Sequence, residues 1–232
     1  MILDLFILCT TLRVVFANNL SSSKRGLIYI QTEDEDDNSI WNSARSDLTW
    51  YYNYGAYPTD GLDNDKFQFV PMLWGKPDDS DTPFNKTVKD LIDGGTNIEF
   101  VLGFNEPDLC DDDGYGGSCI DAEEAAQLWI EQIEPLKEMN IKLGAPGVRS
   151  APEGNQWLAE WYGHCDGRCK PDFLPLHWYG PFDYLPDYMS GMHDAYGNIS
   201  TVWLTEFAYP DGSLEDAQSF YNESTAYLDN AT

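Results

Sequence analysis

Short apolar runs alternate with longer polar stretches along most of the chain. Seven runs stand out: Gly26–Ile30, Leu48–Tyr54, Phe67–Trp74, Ile98–Phe104, Ile141–Ala145, Phe173–Trp178 and Val202–Phe207. Each has the length of a buried strand, and they recur at intervals of roughly 20–40 residues, as successive β-α units do. Helix-compatible stretches lie between them: Thr87–Ile92, Ala125–Met139, Asn155–Tyr162 and Leu214–Leu228. Asp121 and Glu124 form a capping-box-like pair ahead of the second. Near-continuous apolar strands, each followed by a helix, indicate a parallel sheet covered on both faces.

The predicted fold class is therefore α/β, a (β/α)8 TIM barrel. Only seven runs are found before Thr232, so the barrel is expected to be truncated before its last β-α unit. A length of 232 residues suits one domain, which the pattern places over residues 24–232. An open doubly wound sheet is the alternative. That fold usually carries a Gly-rich first turn, and Gly26–Ser39 has none.

Residues 1–17 read as a signal peptide: an apolar stretch too short to span a bilayer, ending in Val15-Phe16-Ala17. Asp4 stands where a basic residue is usual. Five Asn-x-Ser/Thr sequons, at Asn19, Asn85, Asn198, Asn222 and Asn230, agree with export. Loss of the leader removes Cys9 and leaves Cys110, Cys119, Cys165 and Cys169. An even count in an oxidising compartment suggests two disulfides, most simply Cys110–Cys119 and Cys165–Cys169. Their spacings match no standard zinc pattern, so no metal site is expected.

A net charge of -27 repels nucleic acid, anionic membrane surfaces and polyanionic sugars. A neutral partner fits best, bound by a monomer. Aromatic residues make up 14% of the chain, more than a core alone needs, and flat rings stack well on sugar faces.

Two of the runs end in a carboxylate at the same relative place, in Asn105-Glu106-Pro107-Asp108 and in Thr205-Glu206-Phe207. In a parallel barrel the C-terminal strand ends share one rim, so residues remote in sequence can flank one bond. A facing pair of carboxylates is what glycoside hydrolysis requires, without a cofactor. Glu106 is assigned as general acid/base, with the Asn105 amide beside it for a sugar hydroxyl. Glu206 is assigned as nucleophile. A carboxyl separation of roughly 5–5.5 Å is expected, which implies retention of anomeric configuration. His177, Trp178 and Tyr179 end the sixth run and suit a sugar subsite, and His177 or Tyr179 can hold the nucleophile ionised. Trp74 is the first choice for stacking, with Tyr52 and Phe207 as further candidates. Asp108 and Asp111–Asp113 lack EF-hand spacing and read as a solvated loop.

At these residues the chain resembles the fungal glycoside hydrolases of family 128, a group that includes cell-wall proteins. The resemblance runs through Lys24–Leu27, Trp50–Gly55, Phe69–Trp74, Gly103–Asp108, Asp172–Gly180 and Val202–Phe207. It implies a TIM barrel and a retaining endo-β-1,3-glucanase, with the roles given to Asn105, Glu106 and Glu206. The alternatives are a retaining β-1,4-glycanase, and a non-catalytic wall protein that binds glucan on the same aromatic groove.

Overall fold

A computed structural model describes residues 24–30, 38–43, 46–62, 65–110, 116–197, 199 and 201–231. The expected leader with Cys9, the sequons at Asn19 and Asn198, and Asp111–Asp113 lie outside these residues.

Each of the seven apolar runs contains a strand: β1 Gly26–Ile28, β2 Trp50–Tyr52, β3 Gln68–Phe69, β4 Phe100–Val101, β5 Lys142–Leu143, β6 Leu174–Tyr179 and β7 Val202–Ala208. All pairings are parallel and follow chain order. Regular ladders join β1 to β2, β2 to β3, β4 to β5 and β6 to β7. Parallel bridges complete the series, Met72 to Leu102 between the third and fourth runs, and Gly144 to Phe173 and Val148 to Leu176 between the fifth and sixth. An eighth strand is not found among the described residues.

The sheet is strongly curled. Trp203 on β7 lies 5.1 Å from Trp50 on β2, 4.9 Å from Phe100 on β4 and 4.4 Å from Phe173 before β6, centroid to centroid. In a flat sheet, β2 and β7 would stand about 24 Å apart at the usual strand spacing. These rings surround an inner cluster of Tyr52, Val70, Met72, Leu102 and Phe173.

The β6–β7 ladder contains a register shift. Leu176 pairs with Leu204, but His177 pairs with Glu206, so Thr205 is passed over. Such an extra residue re-aims the side chains that follow it. Thr205 compensates for the disturbed ladder: its hydroxyl donates to the Leu176 carbonyl (3.2 Å), and its own carbonyl accepts from the Tyr52 hydroxyl (3.1 Å).

Helices α1 Asn38–Trp41, α2 Phe84–Asp93, α3 Ala122–Gln132, α4 Pro152–Cys165, α5 Leu185–Ala195 and α6 Leu214–Asn230 connect the strands. Asp121 caps α3 by accepting from the backbone of Glu123 and Glu124. The predicted single helix over Ala125–Met139 is instead two pieces. Helix α3 stops at Gln132 and a 3-10 helix runs over Glu134–Met139. Pro135 lacks the N–H that a continuous helix needs and crowds the preceding turn. Helix α5 was not predicted. Pro186 in its first turn is compatible with a helix start, where no N–H is required.

The outer core lies between the sheet and these helices. Trp129 of α3 and Trp161 of α4 are fully buried and meet edge to face at 5.6 Å. The end of α6 is tied to the start of β1, where Arg25 pairs with Asp229 and Asp47, and Lys24 donates to the Ala231 carbonyl. The two disulfides form with the local pairing, Cys110–Cys119 and Cys165–Cys169.

Large buried rings and exposed ion pairs differ in what they contribute. Trp129→Ala is expected to cost about 3–5 kcal/mol and Arg25→Ala at most about 1 kcal/mol. Denaturant unfolding of the two variants measures both; equal costs would contradict this ranking of the interactions.

Candidate active site

Two carboxylates that are 100 residues apart in sequence meet at one end of the sheet, just past the ends of β4 and within β7. Asn105 bridges to Gly147, and the Glu106 N–H donates to the Gly147 carbonyl (2.7 Å). Glu106 has φ of 40°, in the left-handed region that costs a non-glycine residue on the order of 1–2 kcal/mol. This turn carries the Glu106 side chain over the strand ends, towards β6 and β7. Glu206 faces it from inside β7, on the face of His177, where the register shift has turned it.

Both carboxylates and the imidazole are buried, at 7%, 4% and 2% relative exposure for Glu106, Glu206 and His177. An oxygen of each carboxylate and a ring nitrogen of His177 all lie within 4.8 Å of one another. His177 Nδ1 sits 2.8 Å from Glu106 Oε1 and 3.4 Å from Glu206 Oε2. With Glu106 ionised, the shorter contact requires the proton on Nδ1. Gly147 lies against the other side of the ring, where a Cβ would come within 3.1 Å of Nε2.

The two carboxylates differ in their partners. Glu206 accepts from the hydroxyls of Tyr54 (2.8 Å) at Oε1 and Tyr179 (2.7 Å) at Oε2, and the Tyr52 hydroxyl, which shares its one proton with the nearer Thr205 carbonyl, lies 3.4 Å from Oε1. Glu106 has His177 as its side-chain partner among the described residues. Burial pushes all three phenols to higher pKa, and the charge of Glu206 pushes them further. They therefore stay protonated as donors through the neutral range. Glu106, His177 and Glu206 are also of the type that ligates a divalent cation; the bonds just described engage Glu106 Oε1, both oxygens of Glu206 and His177 Nδ1.

Above this group opens a cleft of about 860 Å³, with Glu106 and Glu206 in its lining. Trp74, 40% exposed, and Tyr179, 52% exposed, present ring surface to it, together with Tyr54. Asn105 also lines it. Its Nδ2 donates to the Gly116 carbonyl (3.1 Å), while its buried Oδ1 has no partner among the described residues.

Three of the predicted substrate-binding residues lie elsewhere. Trp178 and Phe207 alternate with His177 and Glu206 on the pleat and so point to the helix side. The Trp178 indole donates to the carbonyls of Gly180 and Pro181 and packs on Tyr188 of α5. Phe207 stacks on Tyr221 and packs against Phe220 of α6. Tyr52 is fully buried and offers no face to a sugar; it braces Glu206 from below. Tyr54 was not singled out in the sequence. It lies two residues past the end of β2, in the left-handed region with φ of 59°, so its direction is set by the bend and not by the pleat of the strand. Arg149, on the cleft wall, had no sequence signal.

A family model described as "Glycosyl hydrolase catalytic core" matches residues 26–232. Alkali-sensitive linkage protein 1 of Schizosaccharomyces pombe is 33% identical over 217 residues, which is 90% of this chain and 37% of that protein. The chain thus spans little more than a third of that relative's length. A curdlan-specific exo-β-1,3-glucanase of glycoside hydrolase family 128 (subgroup III) from Blastomyces gilchristii, solved with glucose, superposes with a TM-score of 0.75 at 31% identity, covering 92% of this chain and 88% of its own. A subgroup VI exo-β-1,3-glucanase from Aureobasidium namibiae does so with a TM-score of 0.74 at 25% identity, covering 90% and 79%. No helix among the described residues is long and apolar enough to cross a membrane.

The raised phenols have a consequence at alkaline pH. The folded protein holds these protons more tightly than the unfolded chain does, so their contribution to stability is complete below the unfolded phenol value of about 10 and declines as pH rises above it. Unfolding followed against pH should show this alkaline loss, and Tyr54→Phe/Tyr179→Phe should reduce it. An unchanged alkaline slope in the double variant would contradict the assignment.

Proposed function

Because the chain belongs to the glycosyl hydrolase catalytic core family, we propose that it is a retaining endo-β-1,3-glucanase that acts outside the cell on a (β/α)8-type barrel. The observation that carries this reading is the pair of buried carboxylates, with oxygens within 4.8 Å of each other, lining an aromatic cleft. Nearest oxygens this close, with His177 between them, leave little room for the separate water that an inverting pair admits, and so support direct attack. The β-1,3-glucanase activity of the solved neighbours supports the linkage; both enzymes named above are exo-acting, so the pattern of laminarin products decides between endo and exo action. The acidic surface supports a neutral glucan. Two disulfides support export.

The asymmetry of hydrogen bonding supports the division of roles. Tyr54 and Tyr179 each hold one oxygen of Glu206 and fix its orientation, as an attacking group requires, whereas Glu106 is left with His177 alone among the described side chains. Glu206 is the nucleophile: its oxygen forms a bond to the anomeric carbon as the glycosidic C–O bond breaks. Glu106 gives its proton to the departing oxygen, which leaves with the bonding electron pair. A water then gives a proton to Glu106 and attacks the anomeric carbon, and Glu206 leaves as carboxylate. His177, between the two, holds both in place during the exchange. Asn105 Oδ1 accepts from a sugar hydroxyl, which satisfies the buried acceptor. Trp74 and Tyr179 stack sugar rings.

Laminarin hydrolysis tests the proposal. Wild type should release a ladder of oligosaccharides whose new ends begin as the β-anomer by NMR. Glu106→Gln and Glu206→Gln should each lose at least about 10²–10⁴-fold in rate. Release that is unchanged in either variant removes that residue from the mechanism, α-anomer product excludes retention, and binding without release makes the chain a carbohydrate-binding protein instead.

A further inference from the structure

Glu106 sits in a backbone conformation that the chain does not adopt unaided, and strained residues of this kind persist only where their surroundings over-determine them. On its leading side, the Asn105 N–H donates to the Trp74 carbonyl (2.9 Å) and the Glu106 N–H to the Gly147 carbonyl (2.7 Å). On its trailing side, two residues beyond both Glu106 and Gly147, stand Asp108 and Arg149. The Asp108 carboxylate accepts the Arg149 backbone N–H (3.2 Å) and its Nε–H (2.9 Å), and Arg149 Nη2 donates to the Asp108 carbonyl (3.3 Å). The Asp108 side chain is only 1% exposed, and Arg149 borders the cleft. Helix α4 presses on the pair at Gly154, where a Cβ would come within 2.3 Å of the Arg149 carbonyl and 3.2 Å of Asp108 Oδ2.

We propose that Asp108 and Arg149 are a positioning pair for Glu106, clasping the segment after β4 to the segment after β5 so that the acid reaches the departing oxygen. A buried carboxylate needs its partner, so the pair stays closed, and its three bonds fix the trailing flank of the left-handed turn. The inference rests on the reading of Glu106 as proton donor.

Leaving-group dependence separates positioning from mere stability. A sugar oxygen must be protonated as it departs, whereas dinitrophenolate leaves without help. Asp108→Asn keeps the shape of the side chain and weakens its grip on Arg149. Its kcat/KM on laminarin should fall about 10²-fold, the scale of a misplaced catalytic group. On dinitrophenyl β-laminaribioside it should fall by a few-fold at most. Glu106→Ala, assayed alongside, should show the same selectivity more strongly. If Glu106→Ala hits both substrates alike, the acid assignment itself fails and the inference fails with it. If Glu106→Ala discriminates and Asp108→Asn does not, the positioning role alone is overturned. Should Asp108→Asn not yield folded protein, Arg149→Lys, which keeps the charge but loses the fork, is compared in the same way. Selective loss on laminarin supports the proposal, and equal loss on both substrates overturns it.

Discussion

Two buried carboxylates this close would repel each other if both were charged, by about 4 kcal/mol for unit charges 4 Å apart at an effective dielectric constant of 20. The rest of the site follows from containing that repulsion. One imidazole lies between Glu106 and Glu206, and three phenols point at Glu206. The donors come from β2, the loop after it, and β6, and the acceptors from β7 and the turn after β4. Only a curled sheet brings these chain segments together, so the aromatic packing of Trp203 against Trp50, Phe100 and Phe173 is as much a condition of the site as its polar groups.

The register shift on β6–β7 is the second condition. Without it, His177 would pair with Thr205, and Glu206 would share a face with Trp178, away from the cleft. The cost of the disturbed ladder is limited because the Thr205 hydroxyl and the Tyr52 hydroxyl serve the exposed carbonyls. A threonine before the glutamate and a tyrosine on β2 thus act together, although neither reacts with substrate.

Much of this was legible in the sequence. Seven apolar runs became seven parallel strands, and the two glutamates at run ends do meet. What alternation could not give was the inward face of β6 and β7, because one extra residue resets the pleat. Trp178 and Phe207 were expected in the cleft beside His177 and Glu206, but neighbours on a strand face opposite ways, so they lie under α5 and α6 instead. Pro135 was visible but was read through, which joined α3 to the following 3-10 turn. Asp108 and Arg149, 41 residues apart, could be paired only once the register of β4 against β5 was known.

The central claim is that Glu206 attacks sugar while Glu106 supplies the proton. A 2-fluoro laminaribiosyl fluoride slows breakdown of a covalent intermediate without preventing its formation, so it should trap the enzyme. Peptide mass spectrometry of the inactivated protein is predicted to find one fluorosugar on the peptide containing Glu206. A label on Glu106 would reverse the roles, and no covalent label on a protein that hydrolyses laminarin would contradict the double-displacement account.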